Sequence, residues 1–389
     1  MRTNNMTMGH RERVLKALNH EEPDRVPFDL GGTSNSSVHI AKYQELKAHF
    51  GVEVDEAEDR LANKWIRSVV MDDRILEALD IDFRYLTVGT PDNKPDVDVG
   101  EDGYIDEWGQ LRRMPEGSLY YDVVDYPLSG SITARDIVNY DWPDPTDPGY
   151  TRGLRARALA LREGTDCAIV LRVPSPFVHT TQFLRGFEDW FADLAGDPDL
   201  ATALFEATIE VTGGQATALL KEVGDIVDVI AMGDDLGFQH GPMVSPDMYK
   251  RLLKPWHAKY LDTLRQNSSA FIHFHCCGSI NLLLDDLIEI GVDAINPVQV
   301  SATGMGSAEL ASEFGDRVSF WGAVDTQQVL PNGTPDEVRA EVKKRIGDLA
   351  PGGGYIFSAV HNIQPDVPLE NILAMYEAAN EYGNYPIGG

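Results

Sequence analysis

From residue 168 onward, short apolar runs recur at regular intervals, and each is followed by a segment of helical periodicity. The runs are 168–173, 226–232, 271–274, 293–297, 318–321 and 355–360, and helical patterns over 200–222, 245–266, 280–290, 307–314, 335–349 and 368–382 alternate with them. Runs that are apolar throughout belong to strands buried on both faces, and helices between them make the sheet parallel. Two earlier runs, 26–30 and 83–88, bring the strands to eight. Eight strand–helix units close a barrel. The expected fold is therefore α/β, a (β/α)8 TIM barrel, with residues 1–389 as one domain.

The segment 91–127 has another texture. It is rich in Asp and Gly and alternates as hairpins do, so it is expected to be a β-rich insertion after the second strand. Upstream, Thr7 is placed to cap a helix over 11–18, and further helices are expected over 39–50 and 69–79. A proline-rich linker, 143–148, precedes a helix over 151–162, and Thr334 is placed to cap the one over 335–349. The triplet Gly352–Gly354 precedes a strand rather than a helix, so it is not a phosphate loop.

Composition excludes several classes of function. With 33 basic against 62 acidic residues the net charge is −29, whereas nucleic acid and anionic membrane surfaces call for clustered positive charge. No segment has the uninterrupted apolar length of a bilayer crossing, and the N-terminus has no apolar run. Three cysteines, two of them adjacent, cannot form a disulfide framework. The expectation is a cytoplasmic enzyme, and a homodimer is compatible with it.

The polar residues worth weighing collect at the carboxyl ends of the strands, where such barrels place their chemistry. In the fifth run, side chains alternate, so His273, His275 and Cys277 share one face and Cys276 takes the other. An imidazole and a thiolate two residues apart suit a borderline-soft cation such as zinc. His361 follows the last apolar run and is the candidate third metal ligand; the alternative is a hydrogen-bonded histidine that holds a substrate carboxylate. His273 is expected in the core, and Cys276 and Cys167 as small buried apolar residues. Asp234-Asp235 reads either as substrate-orienting carboxylates or as a helix cap and turn, with Asp235 the functional candidate. Arg172, at a buried strand end, calls for an anionic partner, either a substrate carboxylate or one of these aspartates. Asp29, Asn296, Gln299, Asp325 and Gln327 are the expected substrate-binding residues. Trp108, Trp142 and Trp321 read as pocket walls or as core.

At these residues the sequence resembles the uroporphyrinogen decarboxylase superfamily. The likeness runs from Arg11-Glu12-Arg13-Val14-Leu15 and Pro23-Asp24-Arg25-Val26-Pro27, through His275-Cys276-Cys277-Gly278, to His361-Asn362-Ile363-Gln364-Pro365. It implies a single (β/α)8 barrel. One branch decarboxylates a tetrapyrrole without a cofactor, gripping its acid arms with arginines just after the first strand. Here that place reads Asp29-Leu30-Gly31-Gly32-Thr33-Ser34, with no arginine. The other branch holds zinc-dependent methyltransferases that work with a corrinoid, and their His-x-Cys ligand pair matches His275 and Cys277. Their third ligand, commonly a cysteine, falls close to His361, and a histidine there points away from a thiol acceptor. The resemblance implies methyl transfer between a small O-, S- or N-methyl compound and a cobalamin presented by a partner protein. The alternative is decarboxylation at a metal-free site.

Overall fold

The computed structural model describes residues 8–53 and 59–388. Seven of the expected apolar runs form one parallel sheet: Phe83–Leu86, Ala168–Arg172, Val229–Gly233, Phe271–His275, Ala294–Asn296, Ser319–Trp321 and Tyr355–Ile356, adjacent in that order. The remaining run closes the ring without becoming a regular strand. Asp29 N donates to Phe357 O and Phe357 N to Pro27 O, each at 2.9 Å, while Asp82 N donates to Phe28 O at 3.0 Å on the other side. Pro27 has no N–H to offer a ladder, and Gly31 turns the chain at φ 79°, so only short bridges form there.

Alternation along the strands sorts side chains between two cores. Phe83, Val170, Val229, Ala231, Ala294 and Trp321 fill the barrel, and Val14, Ala17 and Leu18 of the helix His10–Leu18 pack on the same cluster. Ile169, Ile230, Phe274, Cys276, Ile295 and Phe320 face outward into the helical layer. Trp321 is thus core, as is buried Cys276.

The helices follow the sequence where capping is strong. Pro335–Leu349 starts on the reciprocal cap of Thr334 and Glu337. The helix expected from residue 69 begins only at Asp73 and runs to Ala78, because Ser68–Val69 pairs with Leu61–Asn63 and Asp72 supplies the cap. Two helices, Val178–Arg185 and Phe187–Gly196, precede the long Pro198–Val223 and have no counterpart in the sequence reading. Gly186, at φ 79°, separates them. The helix expected over 245–266 is broken by a π turn, Tyr249–Leu253, just before Pro255, which has no N–H for the preceding turn.

The insertion forms a four-stranded antiparallel sheet of Val97–Asp98, Gly103–Ile105, Leu111–Arg113 and Asp122–Asp125. Among the described residues no helix is long and apolar enough to cross a membrane. Thr7 lies outside the described residues; the first helix starts at His10 with Gly9 at its cap position.

Candidate metal centre and active-site cavity

The strand Phe271–His275 carries two histidines on one face at different depths. His273 pairs in register with Ala231 and Ala294 and sits inside the barrel, edge-on to Trp321 at 4.8 Å. Burial pushes it down to about 3, so it is a neutral core residue. His275, level with Gly233 and Asn296, reaches the mouth. Its Nδ1 lies 2.6 Å from Asn296 Oδ1, and Asn296 Nδ2 in turn donates to Trp321 O at 3.0 Å. The amide is therefore fixed as acceptor, which puts the proton on Nδ1 and leaves the Nε2 lone pair facing outward.

That Nε2 is 3.4 Å from Cys277 Sγ. The turn holding Cys277 is built by tight backbone approach: a Cβ on Gly278, at φ 91°, would stand 2.5 Å from Gly237. Gln299 Oε1 accepts from Gly278 N at 2.7 Å. His361, at the far end of the sheet in sequence, returns across the mouth with its ring centroid 5.4 Å from that of His275. Its Nδ1 is bonded to Asn362 Oδ1, so its Nε2 is presented in the same way. One ligand atom from each of His275, Cys277 and His361 lies within 4.8 Å of the others.

The donor set fits zinc. Bond lengths of about 2.0 Å to nitrogen and 2.3 Å to sulfur at tetrahedral angles set donor separations of roughly 3.3–3.6 Å, and the His275–Cys277 distance falls in that range. Burial holds His275 down to about 4, against the pull of Asp235, and lowers His361 as well. Both imidazoles are thus in their ligating, neutral form at neutral pH. Burial, then the Asp235 charge, pushes the Cys277 thiol well up; a cation at the site reverses that order by favouring the thiolate.

Asn35 spans the two imidazoles. Its Nδ2 is 3.1 Å from His275 Nε2 and 3.2 Å from His361 Nε2, and its Oδ1 accepts from Arg172 Nη1 at 2.6 Å. Arg172 also donates to Ser34 Oγ. Its anticipated anionic partner is not an aspartate: among the described residues no carboxylate pairs with it.

The two adjacent aspartates divide the readings proposed for them. Asp234 is fully buried, accepts from the backbone N–H groups of Phe177, Val178 and His179 at 3.0–3.1 Å, and lies 3.2 Å from His257 Nε2. It caps the helix Val178–Arg185. Asp235 accepts from Cys277 N at 2.8 Å, and its Oδ2 is 3.4 Å from His179 Nε2. Burial alone would raise the Asp235 carboxyl, but His179 outweighs it and holds it well below the usual range. Asp235 in turn raises His179 against its own burial. The result is an Asp–His pair beside the metal-ligand cluster.

Asn35, Arg172, His179, Asp235, His275 and His361 line one cavity of about 620 Å³. Asn296 and Gln299 stand behind it, bonded to His275 and to the Cys277 turn. Asp29 is fully buried, accepting from Gly32 N and Trp321 Nε1 at 2.7 Å each, and burial pushes it up to about 6. Asp325 accepts from Gln327 N at 2.8 Å, and Gln327 is exposed; neither is among the cavity-lining residues. The insertion supplies a wall with Tyr104, Glu107, Trp108, Arg112 and Tyr120. Trp142 packs edge-on against Trp108 at 6.2 Å.

The sequence model of the family described as uroporphyrinogen decarboxylase (URO-D) matches residues 129–382. A uroporphyrinogen decarboxylase of Alkalilimnicola ehrlichii is 33% identical over 391 residues, 97% of this chain and 95% of that protein. The methylcobamide:CoM methyltransferase MtaA of Methanosarcina barkeri is 29% identical over 186 residues, 46% of this chain, and the match spans only 50% of that relative's own length. A solved methyltransferase structure from Methanosarcina mazei superposes with a TM-score of 0.68 at 19% identity, covering 96% of this chain and 99% of that one, a likeness of fold. With well over half its length matched by the family model, and one member similar along nearly all of it, the chain belongs to the uroporphyrinogen decarboxylase family.

Proposed function

We propose that the chain is a methyltransferase that holds zinc on His275, Cys277 and His361 and moves a methyl group between a small compound and a corrinoid presented by a partner protein. The observation that carries this reading is the convergence of two imidazoles and one thiol to within 4.8 Å of one another, beside a cavity that both imidazoles line, with both Nδ1 atoms already engaged. Bound there by one thiolate and two neutral donors, zinc supplies Lewis acidity to a substrate heteroatom, which suits a leaving oxygen or nitrogen better than a thiolate nucleophile.

The other roles belong to the chain's own groups. Asn296 and Asn362 fix the imidazole tautomers. The Asp235–His179 pair holds a proton at the mouth, between Asp235 Oδ2 and His179 Nε2, for exchange with the substrate heteroatom. Arg172 and Asn35 position the body of the substrate, and the insertion wall excludes water. We take residues 1–389 as one catalytic domain working in the cytoplasm, since the insertion completes the cavity. The methyl donor or acceptor is a small molecule. The name of the Methanosarcina barkeri relative, which includes methylcobamide, supports the corrinoid as the other party.

Elemental analysis of the purified protein tests the proposal: one zinc per chain is expected, with methyl transfer lost when a chelator removes it. Full activity in protein shown to be free of metal sinks it. A second reading, decarboxylation without a metal, draws on the near full-length similarity to a decarboxylase. Carbon dioxide release from a porphyrinogen by metal-free protein would select it.

A further inference from the structure

His275 and His361 are held by unequal means. His275 belongs to a strand, and its partner Asn296 is pinned on the neighbouring strand by donating to Trp321 O. His361 lies beyond the last strand, Tyr355–Ile356, and its partner Asn362 is the next residue of the same loop. Asn362 is buried, and its Nδ2 has no hydrogen-bond partner among the described residues. Apart from His361 Nδ1, one side-chain contact orients that amide: Tyr120 OH, which donates to Oδ1 at 2.8 Å.

Tyr120 comes from the insertion, between its strands Leu111–Arg113 and Asp122–Asp125. The direction of its hydroxyl follows from groups that each have one possible role. Asn362 O is a carbonyl and can only accept, so the Gln364 atom 3.3 Å from it is Nε2. The same Nε2 donates to Tyr120 OH, which directs the phenol proton to Asn362. The atom facing that proton is therefore Oδ1, His361 Nδ1 carries its own proton, and His361 Nε2 is left bare. The turn around Tyr120 is held from outside the insertion as well. His39 Nδ1 accepts from Ala41 N at 3.2 Å, so its Nε2 donates to Leu119 O at 3.2 Å, and Tyr121 N donates to Trp65 O at 3.0 Å.

We infer that Tyr120 is a positioning residue for His361: by orienting Asn362 it fixes the ring and tautomer of the third metal ligand, so the insertion completes the metal centre as well as the cavity wall. The inference rests on the zinc reading above and adds a residue to it. Without the hydroxyl, the Asn362 amide is free to turn and offer Nδ2 to the imidazole, which favours the proton on Nε2 and removes the lone pair that a metal needs. Asn35 Nδ2, 3.2 Å from His361 Nε2, favours the same tautomer from the cavity side, but it competes with a cation for that lone pair. Tyr120 acts from behind the ring and does not.

Zinc alone is the probe, and its dissociation constant for the full-length protein is measured by competition with a chromophoric chelator. Tyr120→Phe is expected to weaken zinc about ten- to a hundredfold, the usual effect of losing an outer partner of a ligating histidine. Tyr140→Phe removes the hydroxyl that bonds Trp108 O, a tie to another part of the insertion, and should leave zinc affinity unchanged. Asn362→Asp supplies a carboxylate, which accepts from Nδ1 whichever way it turns, so adding Tyr120→Phe to it should change affinity by no more than about twofold. Cobalt(II) taken up in place of zinc reports the ligand field, and its visible bands should shift in Tyr120→Phe but not in Tyr140→Phe; this measurement decides if the aspartate variant does not fold. Unchanged zinc affinity or cobalt bands in Tyr120→Phe, equal weakening in Tyr140→Phe, or the full loss persisting in the presence of Asn362→Asp overturns the inference and leaves the metal reading standing. An unsubstituted protein that binds no zinc refutes the metal reading, and this one with it.

Discussion

The two ends of the barrel both bury polar groups, and they use them in opposite ways. At the amino end, below strand Phe83–Leu86, Asp82 is fully buried and accepts from Phe28 N and Arg13 Nη1 at 2.6 Å, from Arg25 Nη1 at 2.7 Å and from His10 Nδ1 at 2.8 Å. Every direction around that carboxylate is taken. At the carboxyl end, two imidazoles line a cavity with a thiol beside them, and Asn35 spans the two ring nitrogens. Burial and charge are common to both ends. Uncommitted donor and acceptor capacity is what separates a site from a clamp.

Cys277→Ser should sharpen that contrast most. Losing several kcal/mol of Lewis-acid stabilisation corresponds to at least about a thousandfold in turnover, with zinc content falling to zero and the melting temperature little changed. Were this variant instead to unfold the protein, the carboxyl end would be a clamp as well. Asp82→Ala should do the reverse. It removes the buried acceptor that Arg13 and Arg25 share, leaving them only Asp24 and Asp80 as carboxylate partners, and is expected to cost about 3–5 kcal/mol in urea unfolding, with metal content intact.

Acid should act on the same carboxylate. Burial would raise Asp82, but the bond from His10 and the charges of Arg25 and Arg13 outweigh it and hold it below the usual range. Its folded value lies under its unfolded one, so its contribution is present above pH of about 4 and lost as pH falls through the folded value. Unfolding free energies measured from pH 7 down to pH 3 should show this loss, and Asp82→Asn should flatten it.

Asp235→Asn is expected to lower kcat about ten- to a hundredfold with KM nearly unchanged, because it removes the partner that keeps His179 ready to carry a proton. An equal rise in KM would make the pair a binding element instead. The smallest effect is expected at neither end: Thr334→Ala removes an exposed helix cap and should cost about 1 kcal/mol in urea unfolding, with turnover unchanged.

Much of this was legible in the chain. Apolar runs located the strands, and their polar continuations pointed to one end of the barrel. Alternation put His273 and His275 on one face, but depth along the barrel separates a core histidine against Trp321 from one at the mouth, and depth depends on the register with neighbouring strands. Two consecutive aspartates offered no local reason to choose between them; the helix starting at Val178 took Asp234 and left Asp235 to the cavity. His179, Asn35 and Arg112 gave weaker signals. The first lies in an unforeseen helix, the second in an irregular loop, and the third on an insertion strand whose inward face local pattern does not specify.

By itself the sequence determined most of the strands and helices, the (β/α)8 plan and the residue types suited to a metal, because periodicity and capping act over a few residues. Only the tertiary structure decided that His361 meets His275 and Cys277, that no carboxylate among the described residues pairs with Arg172, and that the insertion brings Arg112 to the same cavity. Those meetings join residues far apart in the chain, and closure of the barrel, rather than local preference, sets the distances between them.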